Sequence, residues 1–329
     1  MQPASHNAQM APMQQNSQAP RKLNRENLLR GLNSEDWELG KQLLNNILDN
    51  TGVKLADVSG CDTAKGTLEE TVILPALNPS LFQGLRQPVK GILLFGPPGN
   101  GKTMLAKAVA HESGQVFLNV SASSINSKWC GNSERLVRAL FQIAKNAQPS
   151  IIFIDEIDSL LSARKEGDTV SRGMKTEFMV QLDGAASSTE DRILIIGATN
   201  RPSELDDAIL RRFPKRIMIE MPNERARAEL LHKTLAKHNM LGGLTDEDIH
   251  WIAYNTDFYS NADLVTLCKE AAMVPIRNIN RDEIAKIDGR EIRNLRVSDF
   301  KEALGSVKSS CNPRLIQELI NFADRSGQK

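Results

Sequence analysis

Residues 96–103 read GPPGNGKT and fit the pattern G-x-x-x-x-G-K-T without a mismatch. The apolar run Ile92-Leu93-Leu94-Phe95 precedes them, and the helix-prone MLAKAVAHE follows. A glycine-rich turn between a buried strand and a helix N-terminus lets backbone N–H groups converge on phosphates, because glycine has no Cβ to block the approach and the helix dipole favours anions. Gly96, Pro97, Pro98, Gly99, Asn100 and Gly101 would form that cradle. Lys102 would reach the β- and γ-phosphates of a nucleoside triphosphate, and the Thr103 hydroxyl would bind Mg2+. Met104, the next residue of the helix, joins the expected nucleotide site.

Three further groups have the chemistry to act on that phosphate. Ile151-Ile152-Phe153-Ile154 ends in Asp155 and Glu156, two carboxylates at the tip of a buried strand. Asp155 would hold Mg2+ while Glu156 polarises the water that attacks the γ-phosphate. ILIIGATN ends a second such run on Asn200, placed to orient that water or simply to form a turn. Leu210-Arg211-Arg212-Phe213 sets two guanidiniums among apolar anchors, and arginine suits charge developing on a transferring phosphate. The pair could serve its own nucleotide or a neighbour's; residue types alone leave both open.

Two loops point to a second activity. Ser127-Lys128-Trp129-Cys130-Gly131-Asn132 puts a tryptophan in a polar loop, either as a buried contact or as an exposed aromatic that grips a polypeptide. The stretch 164–175 carries Arg164, Lys165, Arg172 and Lys175 alongside Glu166 and Asp168.

The elements that must hold these residues follow from apolar periodicity. Five short runs, Gly91–Phe95, Val116–Val120, Ile151–Asp155, Ile193–Thr199 and Arg216–Met221, alternate with helical stretches. That order predicts an α/β fold, a doubly wound five-stranded parallel sheet with its ligand site at the strand C-termini. Ahead of it, Leu39, Leu43, Leu44, Ile47 and Leu48 recur at helical spacing, and a second helix is expected from about Cys61 to Ile73, stopped by Pro75. Beyond Pro222 the pattern is helical throughout, with helices expected over Glu224–Asn239, Thr245–Tyr254, Asn261–Arg277, Ser298–Val307 and Pro313–Arg325. The expected organisation is a linker over 1–32, rich in glutamine and proline, a nucleotide-binding domain over 33–222 and a small helical domain over 223–329.

Composition excludes several classes of partner. The 329 residues carry a net charge of +1, so no global field recruits nucleic acid or membrane. The four cysteines, Cys61, Cys130, Cys268 and Cys311, show neither a zinc spacing nor a disulfide framework. No run reaches the roughly 18 apolar residues of a membrane span and the N-terminus lacks the pattern of a signal peptide, so the chain is expected to be soluble and intracellular; without a basic helix or an interleaved aromatic strip, no nucleic-acid partner is expected.

GPPGNGKT, IIFIDEID, GATNRPSELDDAILRRF and the helical C-terminal part together resemble an AAA+ ATPase from about Asn33 to the C-terminus. SKWCGNSERLVRALFQIAKNAQPS, SRGMKTEFMVQLDG and KEAAMVPIRNI resemble the microtubule-severing group of spastin, katanin and fidgetin, and spastins most closely. The resemblance implies a homo-hexamer that hydrolyses ATP with Mg2+, works on microtubules in the cytoplasm and pulls the acidic C-terminal tail of tubulin through a central pore. Lys102 and Thr103 then match the Walker A ligands, Asp155 and Glu156 the Walker B pair, and Asn200 sensor 1. Arg211 and Arg212 match the arginine fingers acting on the neighbouring subunit's ATP. Lys128, Trp129 and Cys130 match the first pore loop, and Arg172 with Lys175 lies in or near the second. Asp57, Val58 and Gly60 match the segment near adenine, and Asn261 with Ala262 the lid motif beside the nucleotide. Three positions depart from the group's pattern: Cys130 replaces an aliphatic residue, Gly173 an arginine, and Asn261 a glycine. A related motor that disassembles other polymers or membrane-associated proteins is the alternative, and a nucleic-acid motor the reading from another class.

Overall fold

Runs such as Ile92-Leu93-Leu94 form strands because helices cover both faces of a parallel sheet, leaving no face for polar residues. The computed structural model describes residues 24–121, 133–161, 169–187, 191–280, 284, 288 and 291–326. In chain order, α1 (Arg25–Leu28) and α2 (Ser34–Leu43) lead to a two-residue strand, β1 (Ile47–Leu48). Next, α3 (Asp62–Leu68) runs through a π-helical turn, Glu69–Ile73, into α4 (Leu74–Leu77). Then come β2 (Gly91–Phe95), α5 (Lys102–Ser113), β3 (Val116–Ser121), α6 (Ser133–Asn146), β4 (Ser150–Asp155), α7 (Ile157–Leu161) and α8 (Thr169–Ser187). The sheet is completed by β5 (Ile193–Thr199) and, after α9 (Asp207–Leu210), by β6 (Lys215–Met218).

The strand order is β1-β3-β4-β5-β2-β6. The five strands β2 to β6 pair in parallel, whereas β1 lies antiparallel on the β3 edge, Ile47 facing Leu118. Alternation divides the core: Ile92, Leu94, Ile151 and Phe153 face one helical layer, with Leu105 and Val109 of α5. Leu93, Ile152, Ile154 and Ile195 face the other, with Leu140 and Phe141 of α6 and Phe178 of α8. Each fully buried side chain of this kind contributes roughly 1.5–3 kcal/mol of burial. Because β2, β4 and β5 are adjacent and parallel, their C-terminal ends bring Gly96, Asp155 and Asn200 to one edge of the sheet.

Three expectations about the chain ahead of β2 need correction. The linker expected over 1–32 gives way to α1, and Leu28 and Leu29 pack into the core. The helix expected to carry Ile47 and Leu48 ends at Leu43, since those two residues gain ladder bonds and burial against β3 that a further helical turn would not supply. Pro75 does not stop the second helix; the chain widens into the π-turn just before it and resumes as α4 with Pro75 at its start, where a missing N–H costs little.

After Pro222 the chain forms α10 (Glu224–Lys237), α11 (Asp246–Tyr254), α12 (Asn261–Arg277) and α13 (Val297–Ser306) around Leu231, Ile252, Leu264, Leu267 and Phe300. Thr245 and Ser260 open α11 and α12 with capping boxes, each closed by an aspartate three residues on. The last helix, α14 (Pro313–Ser326), crosses back onto the sheet. Phe322 sets its ring edge against Phe95, 5.1 Å between centroids, and Arg216 Nη1 donates to the Ser326 carbonyl at 3.0 Å.

Candidate nucleotide-binding site

The turn after β2 is possible only with glycine at its first position. Gly96 has φ 152°, and a Cβ there would lie 2.2 Å from the Ile219 carbonyl oxygen. Gly99 and Gly101 follow with φ of 77° and 82°, and Gly101 caps α5. This folds 96–101 over the helix N-terminus, where unpaired N–H groups and the dipole favour a phosphate.

Lys102 is the first residue of α5 and only 8% exposed. Its Nζ donates to the carbonyls of Gly96 and Pro97 at 3.0 and 2.8 Å, so the ammonium is folded beneath the loop. Burial pushes its pKa down to about 8, against the opposing pull of Asp155. Thr103 Oγ1 donates to Asp155 Oδ2 at 2.8 Å, joining the helix start to the tip of β4. Met104 is exposed beside them.

Glu156 follows with φ 52°, a left-handed conformation that costs a non-glycine residue roughly 1–2 kcal/mol. Its N–H donates to Asp155 Oδ1 at 3.0 Å and its side chain is exposed. At the end of β5, Asn200 Oδ1 is buried without a hydrogen-bond partner. Two residues that the sequence did not single out fix this corner: Thr199 Oγ1 donates to Asp158 Oδ1 at 2.6 Å and accepts from Arg201 N–H at 2.9 Å. The acidic DEID run offered a signal for Asp158; Thr199 had none beyond its strand-end position.

These residues fit Mg2+ and a triphosphate. Among the described residues no group of three or more His, Cys, Asp or Glu could hold a metal alone. A hydroxyl and one carboxylate are the donor set of a hard ion that keeps waters and takes its other ligands from phosphate oxygens. The buried, unpaired Asn200 oxygen also requires a donor that a bound water would supply.

The segment expected near a base lies across the loop. Val58 is buried in the same cluster as Ile219, while Asp57 Oδ2 accepts from Lys54 N–H at 2.8 Å. Gly60 has φ 67° and abuts Ala226 of α10, where a Cβ would meet the alanine methyl at 2.8 Å. From the other side, Asn261 and Ala262 at the start of α12 donate their N–H groups to Asn100 Oδ1 and the Gly99 carbonyl at 3.1 and 3.0 Å. The loop, the 57–60 segment and the helical unit thus converge.

The arginine pair is split. Arg212 lies on Asp183 of α8, whereas Arg211 is exposed and makes no side-chain bond among the described residues. Lys175 Nζ pairs with Asp206 Oδ2 at 2.7 Å. Arg172 and Lys175 lie in α8, so the stretch expected to be a loop is helical from Thr169 on. Lys128, Trp129 and Cys130 lie outside the described residues.

Comparison with known proteins places this geometry in a family. Residues 92–221 match the family model AAA, "ATPase family associated with various cellular activities", and residues 246–291 match the AAA+ lid domain. The solved FIGL-1 AAA domain in complex with ADP is 43% identical, with a TM-score of 0.81 covering 88% of this chain and 98% of that one. The chain belongs to the AAA ATPase family. A second AAA structure, from work on katanin self-assembly, is 36% identical with a TM-score of 0.74, covering 87% of this chain and 96% of that one. Over 317 residues this AAA ATPase is 62% identical to a spastin homolog of Caenorhabditis elegans, covering 96% of the chain and 60% of that relative's length. The sheet and the helical unit are therefore an AAA domain and its lid, and the converging loop lies between them.

Proposed function

We propose that this chain is the motor part of an ATP-driven microtubule-severing enzyme. The observation that carries the reading is the convergence of Lys102, Thr103 with Asp155, Glu156 and Asn200 at the ends of three adjacent strands, in a chain 62% identical to a protein named a spastin homolog. Lys102 leaves the Gly96 and Pro97 carbonyls to neutralise the β- and γ-phosphates, which restore a full charge to its ammonium. Thr103 and Asp155 would hold Mg2+, whose chemistry there would be to neutralise charge on the phosphate oxygens. Glu156 takes the proton of the attacking water, and Asn200 presents its buried oxygen to that water's other proton. Asp57, Val58 and Gly60 border the base, and Met104 packs beside it.

Hydrolysis is completed between subunits of a homo-hexamer by Arg211, with Arg212 setting the position of its segment. Lys128, Trp129 and Cys130 form the first pore loop, and Arg172 with Lys175 borders the second. Tubulin tails are rich in glutamate, so a pore ringed by these cations attracts them although the chain's net charge is only +1. Trp129 then supplies grip that tolerates sequence variation. The working location is the cytoplasm, on microtubules; no described helix is long and apolar enough to cross a membrane.

Steady-state ATP hydrolysis measured with and without microtubules tests the reading. Microtubules should stimulate turnover several-fold, and Lys102→Ala should abolish it. A rate indifferent to microtubules would remove them as the substrate.

A further inference from the structure

A cavity of about 250 Å3 lies at the end of β5, between the turn 200–204 and α14. Both of its walls are fixed. On one side, Arg201 N–H donates to Thr199 Oγ1 at 2.9 Å, and the 3-10 turn Pro202–Glu204 begins with Glu204 N–H on the Arg201 carbonyl at 3.0 Å. On the other, α14 is held to the sheet by Phe322 on Phe95 and by Arg216 on the Ser326 carbonyl. Leu315, Glu318 and Leu319 line the cavity together, because residues three and four apart share one face of a helix. Pro202 and Leu319 are buried and make part of the wall apolar.

The charges around this space are unbalanced. Arg201 Nη1 reaches Glu204 Oε1 at 3.4 Å, so the one guanidinium on the wall already has a carboxylate. Glu318 is exposed, and its carboxylate makes no ion pair or hydrogen bond among the described residues. Asn200 also lines the cavity, and its buried Oδ1 is an acceptor without a donor. The open chemistry is therefore acceptor oxygen beside apolar carbon. An anion would be repelled by Glu318, and a purely apolar body would leave both acceptors unpaired. The volume is the share of roughly eight waters, enough for one ring with a one-carbon arm. We propose that the cavity binds a small organic ammonium ion, with its N–H groups on Glu318 and Asn200 and its carbon body on Leu315 and Leu319, and that binding slows ATP hydrolysis. The slowing rests on the role of Asn200 argued above: an oxygen taken by the ammonium is withdrawn from the attacking water. The phosphate loop is left free, so ATP still binds.

The probes are benzylamine, benzyl alcohol and benzoate, which share a ring and differ in the charge of the head group. Their binding is followed by saturation-transfer NMR at constant ionic strength, on ATP-loaded Glu156→Gln protein so that the nucleotide site is already filled. Benzylamine should bind about 3- to 5-fold more tightly than benzyl alcohol, the scale of one partly solvated ion pair, and benzoate most weakly. Glu318→Gln, a change on an exposed side chain, should erase most of that preference without changing thermal unfolding. Leu315→Trp, which fills the cavity, should abolish binding of the amine and the alcohol alike. In steady-state hydrolysis by the unsubstituted chain, saturating benzylamine should lower kcat about 3-fold or more and leave KM for ATP within about 2-fold. Glu318→Gln should need more amine for the same effect. Equal binding of amine and alcohol, an unchanged preference in Glu318→Gln, or amine binding without a fall in kcat overturns the proposal. A rise in KM at constant kcat places the amine in the nucleotide site and overturns it as well. Turnover that survives Lys102→Ala would instead defeat the phosphate-loop reading, on which the comparison of the three probes does not depend.

Discussion

Arg212 and Asp183 form a two-pronged ion pair: Nε donates to Oδ1 at 2.9 Å and Nη2 to Oδ2 at 2.7 Å. Hydrogen bonding from Arg212 holds the Asp183 carboxyl below the usual carboxylate range. The two adjacent arginines therefore differ, one fastened to α8 of its own chain and the other presented to its surroundings. Arg211→Ala should lower ATP turnover by on the order of 1000-fold in an assembled enzyme. Asp183→Asn keeps the fold and should cost less than about 10-fold, since the pair is partly solvated and acts through position. Mixing Arg211→Ala subunits with Lys102→Ala subunits should restore part of the turnover; no recovery in confirmed mixed assemblies would rule out action between subunits.

The Lys102 pKa of about 8, lowered from an ordinary 10.5, makes nucleotide binding pH-dependent. Between those two values the unfolded chain holds the proton more tightly than the folded one, so stability of the nucleotide-free protein rises with pH across that window. Bound phosphates favour the ammonium, so binding near pH 9 should take up close to one proton, and binding near pH 7 almost none. Calorimetry in buffers of different ionisation enthalpy measures this, and Lys102→Arg should eliminate the uptake because the guanidinium stays charged.

Glu156 occupies a left-handed backbone conformation at the strand tip while its carboxylate remains free of any side-chain partner among the described residues. Glu156→Gln preserves shape and removes the base. It should bind ATP with an affinity within about 3-fold of the parent and hydrolyse it at least 100-fold more slowly, accumulating an ATP-bound, substrate-bound assembly visible by sedimentation. Normal turnover in this variant would remove Glu156 from the mechanism.

Gly173, where the resemblance leads one to expect an arginine, lies against Glu134 of α6: a Cβ there would meet Glu134 Oε1 at 1.8 Å. That carboxylate is the end of an exposed, flexible side chain, so it can swing aside and pair with a new cation. Gly173→Arg should therefore change stability by less than about 1 kcal/mol, read by denaturant unfolding, and strengthen binding of an acidic tubulin-tail peptide in a salt-sensitive manner. A loss of stability well beyond that range would show that Glu134 is held in place.

Much of this was legible because the chemistry was local. The strands Gly91–Phe95 and Ile193–Thr199 have the bounds that their apolar runs implied, and Lys102, Thr103, Asp155, Glu156 and Asn200 meet because strand ends of a parallel sheet share an edge. Ile47 and Leu48 were misread because two residues spaced to continue a helical face also suit a strand, and only pairing with Phe117 and Leu118 decides between them. Asp183 under Arg212, Thr199 on Asp158 and Asn261 against Asn100 join residues far apart in the chain. No periodicity records such contacts. The return of α14 to Phe95 is of the same kind: its helical pattern was plain, but not the surface it covers.

The central claim is that ATP hydrolysis at this site drives the pulling of tubulin tails. It is tested most directly by imaging immobilised microtubules with the protein and ATP, comparing intact tubulin with tubulin whose acidic C-terminal tails have been removed. Intact microtubules should break along their length, and tailless ones should persist under the same conditions. Equal severing of both would contradict the account.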